Sequence, residues 1–275
     1  MAGCQPQERK RHRPKPGVYG CRSDWPGLNR DCRRHGWSIV VSLCHQHARR
    51  KPAAAIVHGG RKSMSGIKLT IYSDYVCPWC YVGQGVVEKL IEERHAEVEW
   101  RPYYLRPDTP PEGMELPEYV KARMSETNTR LKQMANQAGL EMVFPSRVPN
   151  TRLAHEATEY SRQKGKQFEF HHAVFDKFYA KGEDISQWSV LRGAASQAGL
   201  DANEMQREVA AGYYTEAVNA QVREAQEMEI SGVPTYIIND RYEIFGAQPY
   251  EAFLKALEQV QTDTAEPNPS AWQGE

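Results

Sequence analysis

The sequence predicts an α/β fold in which a large helical insertion separates a βαβ half from a ββα half. Three observations carry this reading. Residues 67–104 read as strand, loop, helix and strand; residues 116–212 follow a helical period; residues 230–260 read as loop, strand, turn, strand and helix. A chain of 275 residues has room for one or two domains.

Ile67-Lys68-Leu69-Thr70-Ile71-Tyr72-Ser73 alternates apolar and polar residues and is β-rich, so it predicts the first strand. Asp74-Tyr75-Val76 forms a short loop. Val82, Val86, Val87, Leu90 and Ile91 then recur at helical spacing up to Arg94. Cys77 therefore falls at a helix N-terminus, with Pro78 at the first helical position, where a missing N–H costs nothing. A second strand spans about 97–104. In the insertion, about 114–212, apolar stripes predict helices over Leu116–Ala138, Leu153–Lys164, Phe168–Ala180 and Ser189–Ala198. Asp201 with Glu204 reads as a capping box, and Gly139, Gly165 and Gly199 stand where helices end. This helical unit is expected to pack across the sheet edge near Cys77. A helix over 216–229 follows. A β-hairpin then turns through the two residues Asn239-Asp240, and a last helix runs from about Pro249 to Val260.

The formal net charge of zero conceals a division. Residues 1–63 hold 14 Lys+Arg and 3 Asp+Glu, and residues 64–275 hold 21 and 32. The first segment has no sustained period and is expected to be a basic, disordered leader. Clusters such as Arg9-Lys10-Arg11-His12-Arg13 would attract phosphate. A start codon read too early accounts for the segment better: Gly59-Gly60 can be encoded by a ribosome-binding sequence at normal spacing before Met64. Translation is therefore expected to begin at Met64, with no nucleic-acid role. Trp37–Leu43 lies too deep in the chain for a secretory signal. No run approaches the roughly 18 apolar residues that span a bilayer. A cytoplasmic protein is expected, with a disordered tail over 263–275.

Cysteines stand at 4, 21, 32, 44, 77 and 80. The first four belong to the leader, at spacings that fit zinc poorly. Cys77-Pro78-Trp79-Cys80 has three readings: half a zinc site, a redox pair, or two inert thiols. A zinc site needs two more ligands, and the region outside the leader offers no second cysteine pair and only scattered histidines. No metal and no cofactor is expected. At a helix N-terminus, unpaired N–H groups favour the Cys77 thiolate, while Cys80, three residues on, sits deeper. An exposed nucleophile with a covered resolving thiol suits disulfide exchange. Far along the chain, Pro234 opens a strand in Gly232-Val233-Pro234-Thr235. The residues alone allow a plain edge-strand start or a cis bond turning the Val233 backbone toward Cys77.

These runs, together with Ser73–Gly83, Asn150-Thr151-Arg152-Leu153-Ala154-His155, Gly182-Glu183-Asp184-Ile185 and Phe245-Gly246-Ala247-Gln248, resemble the DsbA-like family of thioredoxin fold. The pattern is most similar to its FrnE-like branch and covers about 66–262. The resemblance implies Cys77 as nucleophile, Cys80 as resolving thiol and Pro234 as a cis-proline. Val233, Trp79 and Pro78 are expected to bind substrate, and the resemblance suggests Asn150, Arg152 and His155 as pocket residues. The expected partner is a disulfide-containing protein or a small thiol such as glutathione. The alternative is a glutathione-dependent isomerase or transferase of small aromatic molecules. The related 2-hydroxychromene-2-carboxylate isomerases carry serine where Cys77 stands and lack the second cysteine.

Other residues divide more evenly. Asp74 reads as a turn residue or as a proton acceptor during resolution. Of His171 and His172, adjacent on one helix, one is expected to pack and the other to face out. Met124, Met134 and Met142 read as core filler, while Tyr103-Tyr104 and Tyr213-Tyr214 are candidates to frame a cleft. Trp79 brings no charge, which predicts a milder couple than a cation there would give.

Overall fold

Four strands form one sheet in the order β2-β1-β5-β6 in the computed structural model, which describes residues 66–265, with side chains to 260. β1 (Lys68–Ser73) leads through α1 (Pro78–Arg94) to β2 (Glu97–Pro102), which pairs with it in parallel. Next come β3 (Met114–Glu115), α2 (Glu118–Arg123), α3 (Ser125–Gln137) and β4 (Arg147–Val148). The remaining insertion is α4 (Arg152–Gln163), α5 (Gln167–Phe175), a π-helical turn (Asp176–Ala180), α6 (Trp188–Gln197) and α7 (Ala202–Ala210). α8 (Thr215–Glu227) returns the chain to the sheet, where β5 (Thr235–Ile238) pairs antiparallel with β1 and forms a hairpin with β6 (Tyr242–Phe245), and α9 (Tyr250–Ala265) closes.

Alternation along the strands divides the core. Leu69, Ile71, Tyr236 and Ile238 pack with Val87, Leu90, Phe253 and Leu257 of α1 and α9. Tyr72 and Ile237 belong instead to a larger cluster with the insertion, which also takes in Cys77 and Cys80. α1 approaches β5 closely at Gly83, where an added Cβ would lie 2.5 Å from the buried Tyr236 hydroxyl. The insertion meets the sheet at its β2 edge, as expected. There the Gln167 side chain acts as a short substitute strand: its Nε2 donates to the Trp100 carbonyl (2.8 Å), and its Oε1 accepts the Trp100 N–H (3.1 Å). Two backbone groups of an otherwise open edge are thereby paired.

Several expectations need correction. The helix expected over 116–138 starts only after Pro117 and is interrupted at Met124, and a two-stranded ribbon of β3 and β4 flanks it. Two-residue strands leave no legible alternation. The stripe over 168–180 is α-helical only to Phe175, and the π turn that follows keeps Phe178 and Tyr179 buried. The Asp201 side chain does accept the N–H groups of Asn203 and Glu204 (2.9 and 3.0 Å). The Glu204 carboxylate, however, is taken by the Tyr160 hydroxyl (2.8 Å) and Lys164, so the reciprocal half of the box is replaced by a tertiary contact. The hairpin loop is one residue longer than expected: Asn239 and Asp240 have positive φ, yet the ladder resumes with Tyr242 opposite Ile238, leaving Arg241 in the loop. The final helix runs five residues beyond Val260. Residues 1–65 and 266–275, with the basic leader and most of the tail, lie outside the described residues.

Gln167→Ala removes both bonds to the β2 edge and leaves buried backbone groups unpaired. The expected loss is about 2–3 kcal/mol of unfolding free energy, measured by urea titration.

Candidate active site

Cys77 is the N-cap of α1, and its N–H donates to the Asp74 carbonyl (2.9 Å) in a tight turn out of β1. The next residue, Pro78, occupies the first helical turn. Opposite stands the loop before β5, where the Val233–Pro234 bond is cis. The Cys77 thiol donates to the Val233 carbonyl at 3.3 Å, which joins residues 156 apart in sequence. Two bonds fix this loop. The Gly246 N–H donates to the Pro234 carbonyl (2.8 Å), and the Thr235 hydroxyl to the Gly232 carbonyl (2.8 Å). Gly246 has φ +79°, a conformation natural to glycine, which gives the Phe245-Gly246 pair its structural purpose.

Cys80 lies within hydrogen-bonding reach of Cys77, and burial followed by that neighbour pushes its thiol well above the ordinary range. The nearby Asp74 backbone and Ser73 side chain oppose this rise in part. Cys77 was expected to be exposed. It is instead only 2 % exposed, against 5 % for Cys80, because the insertion closes over the helix end. Sequence spacing shows which residue starts the helix, but not which distant segment covers it. A cleft of about 250 Å³ runs beside the pair, lined by Val76 and Pro78 on one side and by Met124, Phe144, Phe178 and Tyr179 from the insertion. Pro78 thus faces open space. Val233 is buried, and Trp79 packs on the core with the Arg130 guanidinium 5.7 Å from its ring centre. The neutral indole therefore carries a cation on its face, although an exposed one that solvent screens.

Asp74 is the turn residue that its sequence allowed, and its side chain is buried as well. Its carbonyl makes the turn, while its carboxylate, in a residue 1 % exposed, accepts the Leu105 N–H (2.8 Å) and meets His155 Nε2 at 3.3 Å. His155 stands on α4, within the helix expected over Leu153–Lys164, with Tyr104 edge-on to its ring at 5.3 Å. Burial, then Glu156, pushes the Tyr104 hydroxyl up to about 12. Asn150 and Arg152 line a separate polar pocket with Tyr104 and Arg106, and Arg152 is paired to the buried Glu156 (2.8 Å). Tyr213 points away from the core, and Tyr214 is buried against Glu208. Met142 is core, whereas Met124 borders the cleft.

Residues 68–258 match the DSBA-like thioredoxin domain family. The chain belongs to that family. A relative, YwbO of Bacillus subtilis, itself uncharacterized, is 32% identical over 198 residues, covering 71% of this chain and 98% of YwbO. A Streptomyces coelicolor structure assigned to the DsbA oxidoreductases superposes with TM-score 0.67 at 26% identity, over 75% of this chain and 94% of that one. 2-Hydroxychromene-2-carboxylate isomerase shares the DSBA-like fold at 18% identity, with TM-score 0.61 over 72% of this chain and 98% of its own. No described helix is long and apolar enough to cross a membrane.

His171 and His172 divide as expected, the first buried and the second half-exposed against Glu88 (3.0 Å). Burial, then His155 and His172, holds the His171 imidazole well below its usual value. The hydrogen bond to Glu88 raises His172. The signs are therefore opposite. The His171 contribution is lost as pH falls below about 6.5, where the unfolded imidazole takes a proton. The His172 contribution is present below about 6.5 and lost as pH rises through its raised folded value. His172→Gln should flatten the decline of the urea midpoint above pH 6.5, by less than about 1 kcal/mol given its exposure.

Proposed function

We propose that this DSBA-like protein is a thiol–disulfide oxidoreductase acting as a disulfide reductase or isomerase, with Cys77 as nucleophile and Cys80 as resolving thiol. The observation that carries the reading is the meeting of Cys77, at a helix N-terminus, with the carbonyl before cis-Pro234. Cys77 attacks one sulfur of a substrate disulfide and forms a mixed disulfide, releasing the other sulfur as a thiolate. Negative charge on the Cys77 sulfur faces the first-turn N–H groups. Cys80 then attacks Cys77, closing the Cys77–Cys80 disulfide and releasing the second substrate thiolate. An extended substrate backbone pairs with Val233 in place of the thiol–carbonyl bond of the resting site. Pro78 and Trp79 border the incoming chain.

The buried Cys77 and the apolar cleft favour a small or extended disulfide over a rigid protein surface, and glutathione is a natural exchange partner. The region from Met64 onward holds one cysteine pair and no disulfide framework, which supports a cytoplasmic setting. The cleft walls of Phe144, Phe178 and Tyr179 also suit a flat aromatic molecule, as a glutathione-dependent isomerase would require. That chemistry has no use for Cys80.

Insulin-disulfide reduction with glutathione as donor separates the readings. Cys77→Ser should fall to background, and Cys80→Ser should accumulate a mixed disulfide visible as a mass adduct. Full turnover by Cys77→Ser would overturn the proposal.

A further inference from the structure

The cleft beside Cys77 carries a chemical pattern that disulfide exchange by itself does not require. Val76 and Pro78, the chain neighbours of Cys77, form one wall, so the cleft opens at the nucleophile. The facing wall is a stripe of the insertion: Lys121, Met124 and Asn128 follow at helical spacing along α2 and α3, and all three line the cleft. Just beyond Asn128, the Arg130 guanidinium lies over the Trp79 ring. The Asn128 end of the stripe therefore faces the cysteines, and the Lys121 end lies farther out. Arg147 of β4 lines the cleft as well, and the remaining lining is mostly apolar.

Two features of this lining call for a ligand. The first is charge. Residues 64–275 hold 21 Lys+Arg against 32 Asp+Glu, yet among the described residues two cations and no carboxylate line the cleft. Glu118 braces Lys121 (2.8 Å) and Glu115 braces Arg147 (3.1 Å) from outside the lining. An ammonium and a guanidinium have more N–H donors than these contacts use, so both can hold a further carboxylate. The second feature is an unmatched acceptor. Asn128 Oδ1 is buried and accepts no hydrogen bond from the described residues. A ligand N–H would satisfy it.

We propose that the cleft binds a small disulfide built on cysteine. An amide or ammonium N–H close to its sulfur meets Asn128, and a carboxylate farther out meets Lys121 and Arg147. The inference rests on the reading of Cys77 as nucleophile and names the substrate class of that site. The sulfur of the half held in the cleft bonds to Cys77 as the S–S bond of the substrate breaks, and the other half leaves as a thiolate. Cys80 then attacks Cys77, and the held half leaves as the second thiolate. Two electrons pass from the cysteine pair to the disulfide, so one turnover needs no other reductant. Asn128, Lys121 and Arg147 bind the substrate and take no part in the exchange.

The test compares three disulfides. Oxidised glutathione carries N–H groups and carboxylates, 3,3′-dithiodipropionate carries carboxylates alone, and bis(2-hydroxyethyl) disulfide carries neither. The reduced full-length protein is mixed with each below saturation, and the loss of its thiols gives a second-order rate constant. Each rate is divided by that of the hydroxyethyl compound with the same protein, and the ratio is compared with wild type. Differences in leaving group and any general effect on the fold then cancel. In Asn128→Leu the glutathione ratio should fall about fivefold, and the dithiodipropionate ratio should not follow. In Lys121→Gln/Arg147→Gln both acid ratios should fall about fivefold, as they should for wild type in about 1 M salt. Ratios unchanged in both proteins, or equal falls for the two acids in Asn128→Leu, would overturn the assignment. A wild type that loses its thiols to none of the three would instead overturn the redox-couple reading itself.

Discussion

The contact between Cys77 and the Val233 carbonyl is the constraint on which the site depends. It forms only if α1 and the loop before β5 meet, and their sequence separation of 156 residues makes that a product of the whole fold. β1 places Cys77 by pairing with β5, which begins at Thr235, next to Pro234. Gly83 lets α1 lie close on Tyr236, and Gly246 holds the Pro234 carbonyl. The sheet thus positions two loops, with Gly83 leaving room for the Tyr236 hydroxyl and Gly246 taking the positive φ that its turn requires.

The helical insertion changes what that meeting can do. By covering the end of α1 it buries both thiols, leaving a cleft rather than an open surface beside Cys77. It also brings His155 under Asp74 and His171 against the Trp100 ring at 4.6 Å, so that titratable groups line the rear of the site. Gln167 couples this insertion to the sheet through the edge of β2. The insertion accordingly shapes the surroundings of the pair, while the sheet places the thiols.

Much of this was legible in the sequence because it is local. The strand before Cys77, Pro78 at the first helical position and the C-terminal glycines each follow from the chemistry of neighbouring residues. The pairing of Pro234 with the cysteines came from resemblance, since no local rule links residues so far apart. What escaped was set by tertiary contact. Burial of Cys77 depends on where the insertion folds back, and the Asp74–His155 pair joins residues that each look ordinary alone. The break at Met124 and the π turn at Asp176 leave the apolar stripe nearly intact, so periodicity passes over them. Trp79 brings no charge of its own, and the Arg130 guanidinium over its ring comes from a distant segment.

The central claim is that Cys77 and Cys80 form one reversible couple, and its redox titration tests this most directly. The protein is equilibrated in glutathione buffers of graded potential, quenched, alkylated and weighed. The account predicts that both thiols disappear together in a single two-electron transition, at a potential nearer thioredoxin's, about −270 mV, than that of DsbA, about −120 mV. Two thiols that remain alkylatable across the whole range, or that react with glutathione independently of each other, would contradict it.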